Sequence, residues 1–462
     1  MVFSSTIFLF AFLPVVFLLH LILPGMKAKN LLLILASLVF YAFGEPYYVA
    51  VMFLSALVNY AMGLFAGKGG RTGKTAVAAA VVFNIGVIGI FKYADFVLQS
   101  VNQLLGIDLP LPGIPLPVGI SFFTFQALSY VIDAYRDRDA ASKSFTQVLL
   151  YICFFPQLVA GPIIKYNDIR TELISRKVCA DEAAAGIRRF ICGMAKKLLI
   201  ANVMGGVADY VFALDEVNIA LAWLGGLAYC FQIYFDFSGY SDMAIGLGRM
   251  FGFHYKENFN YPYVSTSIKE FWRRWHISLS SWFRDYLYIP LGGNRKGRTR
   301  TWINKYIVFF ATGLWHGANW TFVLWGLIHG TFSVLEDSGV IPAKKWADGR
   351  GRIIGHIYTM IVVTVAFVLF RADTVGQGAY MIKEMFTGFH FDLALRQEFL
   401  LQLSPMVILA FVLAVIFSMP VKDRLQSRKT EGLAYVGSLA LLVLCILNLS
   451  AGTFNPFIYF RF

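Results

Sequence analysis

The sequence predicts an all-α polytopic membrane protein. Hydrophobic residues make up 58% of its 462 residues and charged residues only 15%, whereas soluble domains contain roughly 45–50% and 25%. Aromatic residues reach 16%, with 44 Phe and 23 Tyr, as expected for helices that cross an apolar core between two aqueous rims. Apolar stretches also recur along the whole chain, which indicates many spanning segments rather than one anchor.

Each apolar stretch is predicted to be helical. The first has no basic residue before it and no cleavage site of small residues, so we interpret it as a spanning helix and not as a signal peptide. Several others are shorter than the roughly 20 residues that span hydrocarbon, so we expect re-entrant or polar-lined pieces. Residues 151–169, broken by Pro156, Gly161 and Pro162, are the clearest re-entrant candidate. In order, the stretches are 6–23, 31–43, 47–65, 75–93, 117–135, 198–213, 219–235, 302–315, 320–334, 353–370, 405–419 and 433–449.

The charge balance indicates membrane lipid rather than nucleic acid as a partner. The net charge is +13, and its Lys and Arg residues fall mainly in alternate loops, as the positive-inside rule requires. That alternation places the N-terminus outside, the basic segment 236–305 in the cytoplasm and the C-terminus outside. The five cysteines form no close pair, so neither a disulfide framework nor a metal site is predicted.

An amphipathic segment lies within residues 265–283. At about 100° per residue, its Trp and Phe residues form one arc and its basic residues lie opposite, which is typical of a helix at a membrane surface. His276 lies at the edge of the apolar arc. The pattern leaves open whether that histidine is functional or only packed.

His316 is the strongest candidate for chemistry. It lies eleven residues beyond Lys305, about 16 Å along a helix, and so is predicted near the middle of a hydrocarbon core about 30 Å thick. A titratable side chain at that depth is costly and marks a functional site by default. The alternative is a neutral imidazole hydrogen-bonded between helices. Gly313 and Gly317 flank this histidine and would allow close approach of another backbone.

The C-terminal segment SAGTFNPFIYFRF is aromatic, whereas most termini are polar and frayed. It is either an aromatic anchor at the membrane interface or a segment that folds back and offers the Tyr459 hydroxyl. Imidazole is the usual base for activating a hydroxyl nucleophile. His316 and Tyr459 are therefore a plausible pair for acyl transfer. The sequence contains no phosphate-binding loop, dinucleotide fingerprint, zinc-protease motif or serine elbow.

Five blocks of the chain resemble the membrane-bound O-acyltransferase family, in particular its bacterial alginate O-acetylases, peptidoglycan O-acetyltransferases and teichoic-acid D-alanyltransferases. The blocks cover most of the chain between residues 116 and 330. They are LPVGISFFTFQALSYVIDAYR (116–136), FFPQLVAGPI (154–163), YFDFSGYSDMAIGLGRMFGF (234–253), ENFNYPYVSTSIKEFWRRWHISLSSWFRDYLYIPLGGN (257–294) and GLWHGANWTFVLWGLIHG (313–330).

The resemblance implies a role for individual residues. His316, in the WHG motif, is similar to the family's catalytic histidine, and His276, in RWH, to its second recurrent one. The FIYFRF tail resembles an acyl-transfer motif whose tyrosine, here Tyr459, accepts the acyl group. Asn319 and His329 are expected to support the site without touching substrate, although His329 is slightly better explained as a packed interhelical histidine. The residues expected to bind the acyl donor are Arg273, Arg274, Trp275 and Arg284.

The implied fold is a ring of transmembrane helices with re-entrant segments and cytoplasmic amphipathic helices. We divide the chain into N-terminal helices (1–115), a catalytic core (116–335) with the amphipathic segment 236–305, C-terminal helices (336–450) and an extracytoplasmic tail (451–462). The implied location is a bacterial cytoplasmic membrane. No bound cofactor is implied.

The predicted function is transfer of an acyl group, most simply acetyl, from a cytoplasmic thioester donor to an extracytoplasmic polysaccharide through Tyr459. The donor implied is acetyl-CoA or an acyl carrier protein, and the final acceptor step belongs to an SGNH-hydrolase-like acetyltransferase partner. The alternatives are direct acyl or D-alanyl transfer without the tail, and a non-enzymatic transporter with broken helices near the bilayer midplane. No inverted repeat supports the transporter.

Overall fold

The computed structural model describes residues 1–346, 348–421, 431–451 and 457–458, and every regular element in these ranges is helical. Six helices in this part of the chain are long and apolar enough to cross a membrane, or seven if the bent pair Leu393–Gln402 and Pro405–Phe417 forms one span. The prediction of an all-α polytopic membrane protein is confirmed. The chain divides into two compact units, Met1–Phe190 with Ser241–Lys256, and Ile191–Tyr240 with Glu257–Phe462.

The first unit is built mainly on the N-terminal helices. Small residues bring these helices close together: a Cβ on Gly63 would overlap the Tyr130 ring. Two buried amides, Asn59 and Asn84, exchange hydrogen bonds of 2.7 and 3.1 Å between neighbouring helices, which satisfies polar groups in an apolar setting. The helices are α1 (Leu13–Ile22), α2 (Met26–Ala42), α3 (Tyr48–Ala66), α4 (Gly70–Ile88), α5 (Ala94–Leu105), α6 (Ile120–Arg136), α7 (Phe145–Cys153), α8 (Phe155–Leu158) and α9 (Tyr166–Ile174).

The broken segment predicted over 151–169 is present in this unit. Helix α7 ends at Cys153, the short α8 follows, and the chain is then irregular up to α9. Two of its side chains bond to backbone of the same segment: Gln157 Nε2 donates to the Tyr151 carbonyl at 2.6 Å, and the Tyr151 hydroxyl donates to the Ile164 carbonyl at 2.7 Å. Irregular backbone of this kind is tolerated at membrane depth only where protein covers it.

The remaining helices follow from residue 180 onward. Their bounds are α10 (Ala180–Ala195), α11 (Asn202–Phe212), α12 (Ile219–Met250), α13 (Ile268–Arg274), α14 (Ile277–Phe283), α15 (Arg298–His316), α16 (Trp320–Ser338), α17 (Gly351–Arg371), α18 (Val375–Thr387), α19 (Leu393–Gln402), α20 (Pro405–Phe417) and α21 (Glu431–Ser450). A π-helical segment, Lys196–Ala201, joins α10 to α11. A second π-helical segment, Arg284–Tyr288, follows α14.

Two boundaries differ from the sequence prediction. The helix expected over 219–235 continues to Met250, so the amphipathic segment does not begin at 236. Asp236, Ser238 and Ser241 are all buried. The prediction ended the helix at its first carboxylate, Asp236, but the helix continues because these polar residues pack inside the protein.

The segment expected to form one surface helix over 265–283 is two short helices, α13 and α14. Its aromatic arc also does not face lipid: Phe271, Trp275 and Trp282 are at most 5% exposed, and Phe271 and Trp275 belong to the apolar core of the second unit. The interfacial-helix interpretation is therefore wrong for the aromatic face. Periodicity identified a buried face but could not say whether lipid or protein covers it.

Candidate active site

His316 is positioned by a tight hairpin between α15 and α16. It is the last residue of α15, and Asn319 caps α16 by accepting a hydrogen bond from the Thr321 amide at 3.1 Å. The hairpin packs closely because its contacts are made by glycine: a Cβ on Gly313 would overlap the Phe322 carbonyl oxygen, and a Cβ on Gly317 would overlap the Phe322 ring. The glycines flanking His316 thus allow the close approach that the sequence predicted.

Aromatic rings surround the His316 imidazole. Trp315, Trp325 and Phe370 approach it edge to face, with centroids 5.1, 5.0 and 5.3 Å away. The residue is only 3% exposed. A neutral imidazole at this position can accept a proton from a substrate hydroxyl.

The His276 imidazole lies beside that of His316, with 6.4 Å between the ring centroids. This separation is too long for a direct nitrogen–nitrogen hydrogen bond of about 3 Å. His276 lies in the break between α13 and α14 with φ = +44°, a strained conformation for a residue with a side chain. The kink takes the chain from the exposed Arg273 to a completely buried histidine within three residues.

Asn258 favours one tautomer of His276. The Asn258 Oδ1 atom accepts hydrogen bonds from the Ser278 amide at 3.2 Å and the Ser278 hydroxyl at 2.8 Å, and it lies 3.2 Å from His276 Nδ1. Because the backbone amide can only donate, that side-chain atom is an oxygen, which favours the tautomer with the proton on Nδ1. The Ser278 hydroxyl is a second polar neighbour, 3.4 Å from Nδ1. In the favoured tautomer the lone pair of His276 is on Nε2.

Burial keeps His276 neutral. The residue lies outside the spanning helices, and its complete burial lowers the pKa of the imidazole from its usual 6.5 to about 3. Phe237 packs against the ring edge to face, with centroids 4.6 Å apart. At physiological pH, His276 is therefore a hydrogen-bond acceptor rather than a cation.

The predicted donor-binding residues lie in different surroundings. Arg274 lines a cleft of about 460 Å³, where its guanidinium bonds Glu270 at 2.9 Å and the Asn260 carbonyl at 3.1 Å. Arg284 is exposed and bonds its neighbour Asp285 at 2.8 Å, while Trp275 lies in the core, 1% exposed. A second arginine, Arg352, also lines this cleft and was not predicted from the sequence. The residues that line the cleft are Asn260, Tyr261, Val264, Arg274, Arg352, Met419, Pro420 and Val421.

His329 lies nine residues beyond Trp320, the first residue of α16, and is completely buried. Trp325 separates it from His316, with 5.1 Å between the Trp325 and His329 centroids. Trp272 also packs on His329 at 5.3 Å. This environment fits an interhelical packing role that supports the wall of the site through Trp325.

The structure describes Ser450, Ala451, Phe457 and Ile458 of the C-terminal segment. Phe457 is 2% exposed and Ile458 is 5% exposed, and Ile458 belongs to the same apolar core as Trp275 and Trp325. These two residues are therefore packed inside protein and do not form an interfacial anchor. Tyr459, the predicted acyl acceptor, lies outside the described residues.

Sequence reasoning did not single out Asn258, Lys197 or Asp236. Asn258 lies in the block 257–294 but carries no motif of its own. Its role depends on the positive φ of His276. Lys197 precedes one apolar stretch and Asp236 follows another, so both resembled loop residues. In the structure they form a buried ion pair, with both side chains at most 3% exposed. The available signal was their position directly beside membrane-length apolar runs.

Comparison with known proteins identifies the family. The profile of the membrane-bound O-acyltransferase family matches residues 50–338. A probable alginate O-acetylase of Azotobacter vinelandii is 39% identical over all of both chains. A peptidoglycan O-acetyltransferase of Helicobacter pylori is 35% identical over 83% of this chain and 80% of its own, and a teichoic acid D-alanyltransferase of Streptococcus thermophilus is 29% identical over 55% and 68%. The chain belongs to the membrane-bound O-acyltransferase family.

Proposed function

We propose that this O-acyltransferase moves an acetyl group from a cytoplasmic thioester donor to an extracytoplasmic polysaccharide, with His316 as the general base and Tyr459 as the acyl carrier. The observation that carries the proposal is the buried His316 ring, enclosed by aromatic residues 5.0–5.3 Å away and 6.4 Å from the imidazole of His276. Family membership replaces the transporter alternative with an enzyme.

The proposed chemistry needs one proton acceptor and one nucleophile. His316 removes the proton from the Tyr459 hydroxyl as the phenol oxygen attacks the thioester carbonyl carbon. The carbon–sulfur bond breaks, the thiol leaves with a proton, and the acyl group remains on tyrosine. A phenol with a pKa near 10 requires such a base at neutral pH, and base catalysis of this kind contributes roughly 10²–10⁴-fold.

The cleft beside Arg274 supports a phosphate-bearing donor. Coenzyme A and the phosphopantetheine of a carrier protein both carry phosphate, which guanidinium groups bind in a fork. Arg274 and Arg352 both line this cleft of about 460 Å³. Arg274 precedes His276 by two residues, a distance of at most about 7 Å along the chain. A donor anchored at the cleft would thus lie close to the histidine pair.

Acetyl is favoured over D-alanyl because the similarity to the alginate O-acetylase covers all of both chains, while that to the D-alanyltransferase covers 55% of this chain. Alginate is the first polysaccharide to test for the same reason. The location proposed is a bacterial cytoplasmic membrane with an extracytoplasmic C-terminus. An extracytoplasmic SGNH-hydrolase-like partner would complete transfer to the glycan.

Replacing His316 by glutamine tests the centre of the proposal. The expected result is loss of acetyl transfer by at least about 10²-fold, because the base is removed. His20 provides a matched control: it is also completely buried but lies in α1, and His20→Gln is expected to retain the rate. Transfer by His316→Gln at the rate of the unaltered enzyme would refute the proposal.

Tyr459→Phe separates the relay from direct transfer. The substitution keeps the ring and removes only the hydroxyl, so the relay predicts loss of transfer and loss of labelled acetyl from the C-terminal peptide in mass spectrometry. Tyr435→Phe, at a half-exposed tyrosine of α21, is the control. An unchanged rate in Tyr459→Phe would favour direct delivery of the acyl group from the His316 site.

A further inference from the structure

A buried ion pair in the second unit takes no part in the chemistry proposed above. The Lys197 ammonium contacts the Asp236 carboxylate, and both side chains are at most 3% exposed. The two residues belong to the candidate spans Ala180–Phe212 and Ile219–Met250. Charged side chains within spanning segments are rare because burying them is costly, and they mark functional sites by default.

The local backbone is adapted to this pair. Lys197 lies in the π-helical segment Lys196–Ala201. Short π-helical turns within α-helices are frequent at functional sites. Gly239 lets α12 approach this segment closely: a Cβ there would lie 2.7 Å from the Gly193 carbonyl oxygen and 3.3 Å from the Lys197 amide nitrogen. The close approach brings the residues of α12 on either side of Gly239 next to the lysine.

The pair is occupied by the chain's own C-terminal segment. The Ile458 amide donates a 2.7 Å hydrogen bond to Asp236 Oδ2. The Phe457 ring lies 4.9 Å from the Lys197 Nζ atom and packs edge to face on Tyr240, with centroids 4.7 Å apart. One carboxylate therefore binds both the lysine and the peptide backbone, and the lysine contacts an aromatic face.

We propose that Lys197, Asp236 and Tyr240 form a peptide-binding site whose natural occupant is the C-terminal segment at Phe457–Ile458. The site recognises the backbone N–H of a residue that directly follows an aromatic residue. The Ile458 side chain packs in the apolar core of this unit. The site holds the residue immediately before Tyr459 in the chain. The inference concerns binding and does not depend on whether Tyr459 carries an acyl group.

Two double variants isolate the backbone hydrogen bond from the charges. Replacing Lys197 by Met together with Asp236→Asn removes both charges but keeps an oxygen that accepts the Ile458 N–H. Lys197→Met with Asp236→Leu removes the charges and the acceptor. Changing both partners avoids an unpaired buried charge, which would endanger folding by itself.

The measurement is amide hydrogen exchange of the C-terminal peptide, followed by mass spectrometry on the full chain in lipid nanodiscs. We expect the Lys197→Met/Asp236→Leu protein to exchange this peptide at least about tenfold faster than the unaltered protein. The Lys197→Met/Asp236→Asn protein is expected to stay within about threefold. Equal protection in both double variants would overturn the proposal, because it would mean that lipid or another contact shields the segment.

The Asp209–Arg371 pair supplies a control. Arg371 Nη2 lies 2.7 Å from Asp209 Oδ1, and the guanidinium lies over the Phe212 ring at 5.2 Å. This pair also joins a carboxylate, a cation and an aromatic ring, is more exposed, at 16% and 37%, and is not bonded to the described tail residues Phe457 and Ile458. Asp209→Leu with Arg371→Met is expected to leave exchange of the C-terminal peptide unchanged. Faster exchange in this control as well would also overturn the proposal, since it would indicate general loosening.

Discussion

Replacing Asn258 by alanine tests whether the tautomer of His276 matters to acyl transfer. Asn258 is 1% exposed and His276 is completely buried. The substitution removes the oxygen that accepts from Ser278 N–H at 3.2 Å and from His276 Nδ1–H at the same distance. Because His276 is completely buried, its Nδ1–H would be left without an acceptor, whereas water can replace the acceptor at the half-buried Ser278.

The expected magnitude follows from the His276 contact. A buried donor left unsatisfied costs about 1–3 kcal/mol, so the substitution lowers the free energy of unfolding by about that amount. The same loss removes the preference for the Nδ1–H tautomer. A preference of about 1.4 kcal/mol corresponds to a factor of ten, and we therefore expect kcat to fall about tenfold in Asn258→Ala if the Nε2 lone pair is used.

The assay is the initial rate of labelled acetyl transfer in proteoliposomes, with thermal unfolding measured on the same samples. Asn304→Ala is the stability control. Asn304 lies near the basic N-terminal end of α15, is completely buried and donates to the Gly293 carbonyl at 2.9 Å. This control is expected to lose stability and keep kcat. A folded Asn258→Ala enzyme with unchanged kcat, or an equal kcat loss in Asn304→Ala, would refute the reasoning.

Asn258→Asp gives a second readout that a structural role alone would not change. A carboxylate at this position accepts from the same donors and so keeps the Nδ1–H tautomer. Its negative charge stabilises the imidazolium, which raises the pKa of His276 from about 3 toward the usual 6.5. We expect near-normal kcat above pH 7.5 and a new acid limb between about pH 4 and 6.5.

Three further predictions concern the same unit. Gly313→Ala places a methyl group against the Phe322 carbonyl and is expected to cost about 1–3 kcal/mol, seen as a lower unfolding temperature; an unchanged temperature would contradict the hairpin packing. Arg274→Met is expected to raise the KM for the thioester donor several-fold, whereas Arg284→Met, at the exposed arginine, is expected to change it less than twofold; equal effects would argue against the cleft. Because the folded pKa of His276 lies below the unfolded value of about 6.5, its stabilising contribution is complete above pH 6.5 and declines as the pH falls toward 3; replacing His276 by glutamine should reduce that decline in urea titrations.

Local sequence information was sufficient for much of this molecule. Composition and apolar stretch length predicted a helical membrane protein, since spanning helices must satisfy every backbone group internally. The WHG motif and its flanking glycines predicted a close helix approach at His316, because a glycine has no Cβ to keep a neighbouring backbone away. The broken segment at Pro156 was equally local, as proline cannot continue a helix interior.

The sequence by itself determined the helical class, the family resemblance and the histidine at the hairpin. Tertiary structure alone decided which faces meet protein: the kink at His276, the hydrogen bond from its Nδ1 to Asn258, and the pairing of Lys197 with Asp236. Periodicity shows that one face of a helix is buried but does not identify its partner. Asp236 and Ile458 are 222 residues apart in sequence, and only the packed chain brings such groups within hydrogen-bond distance.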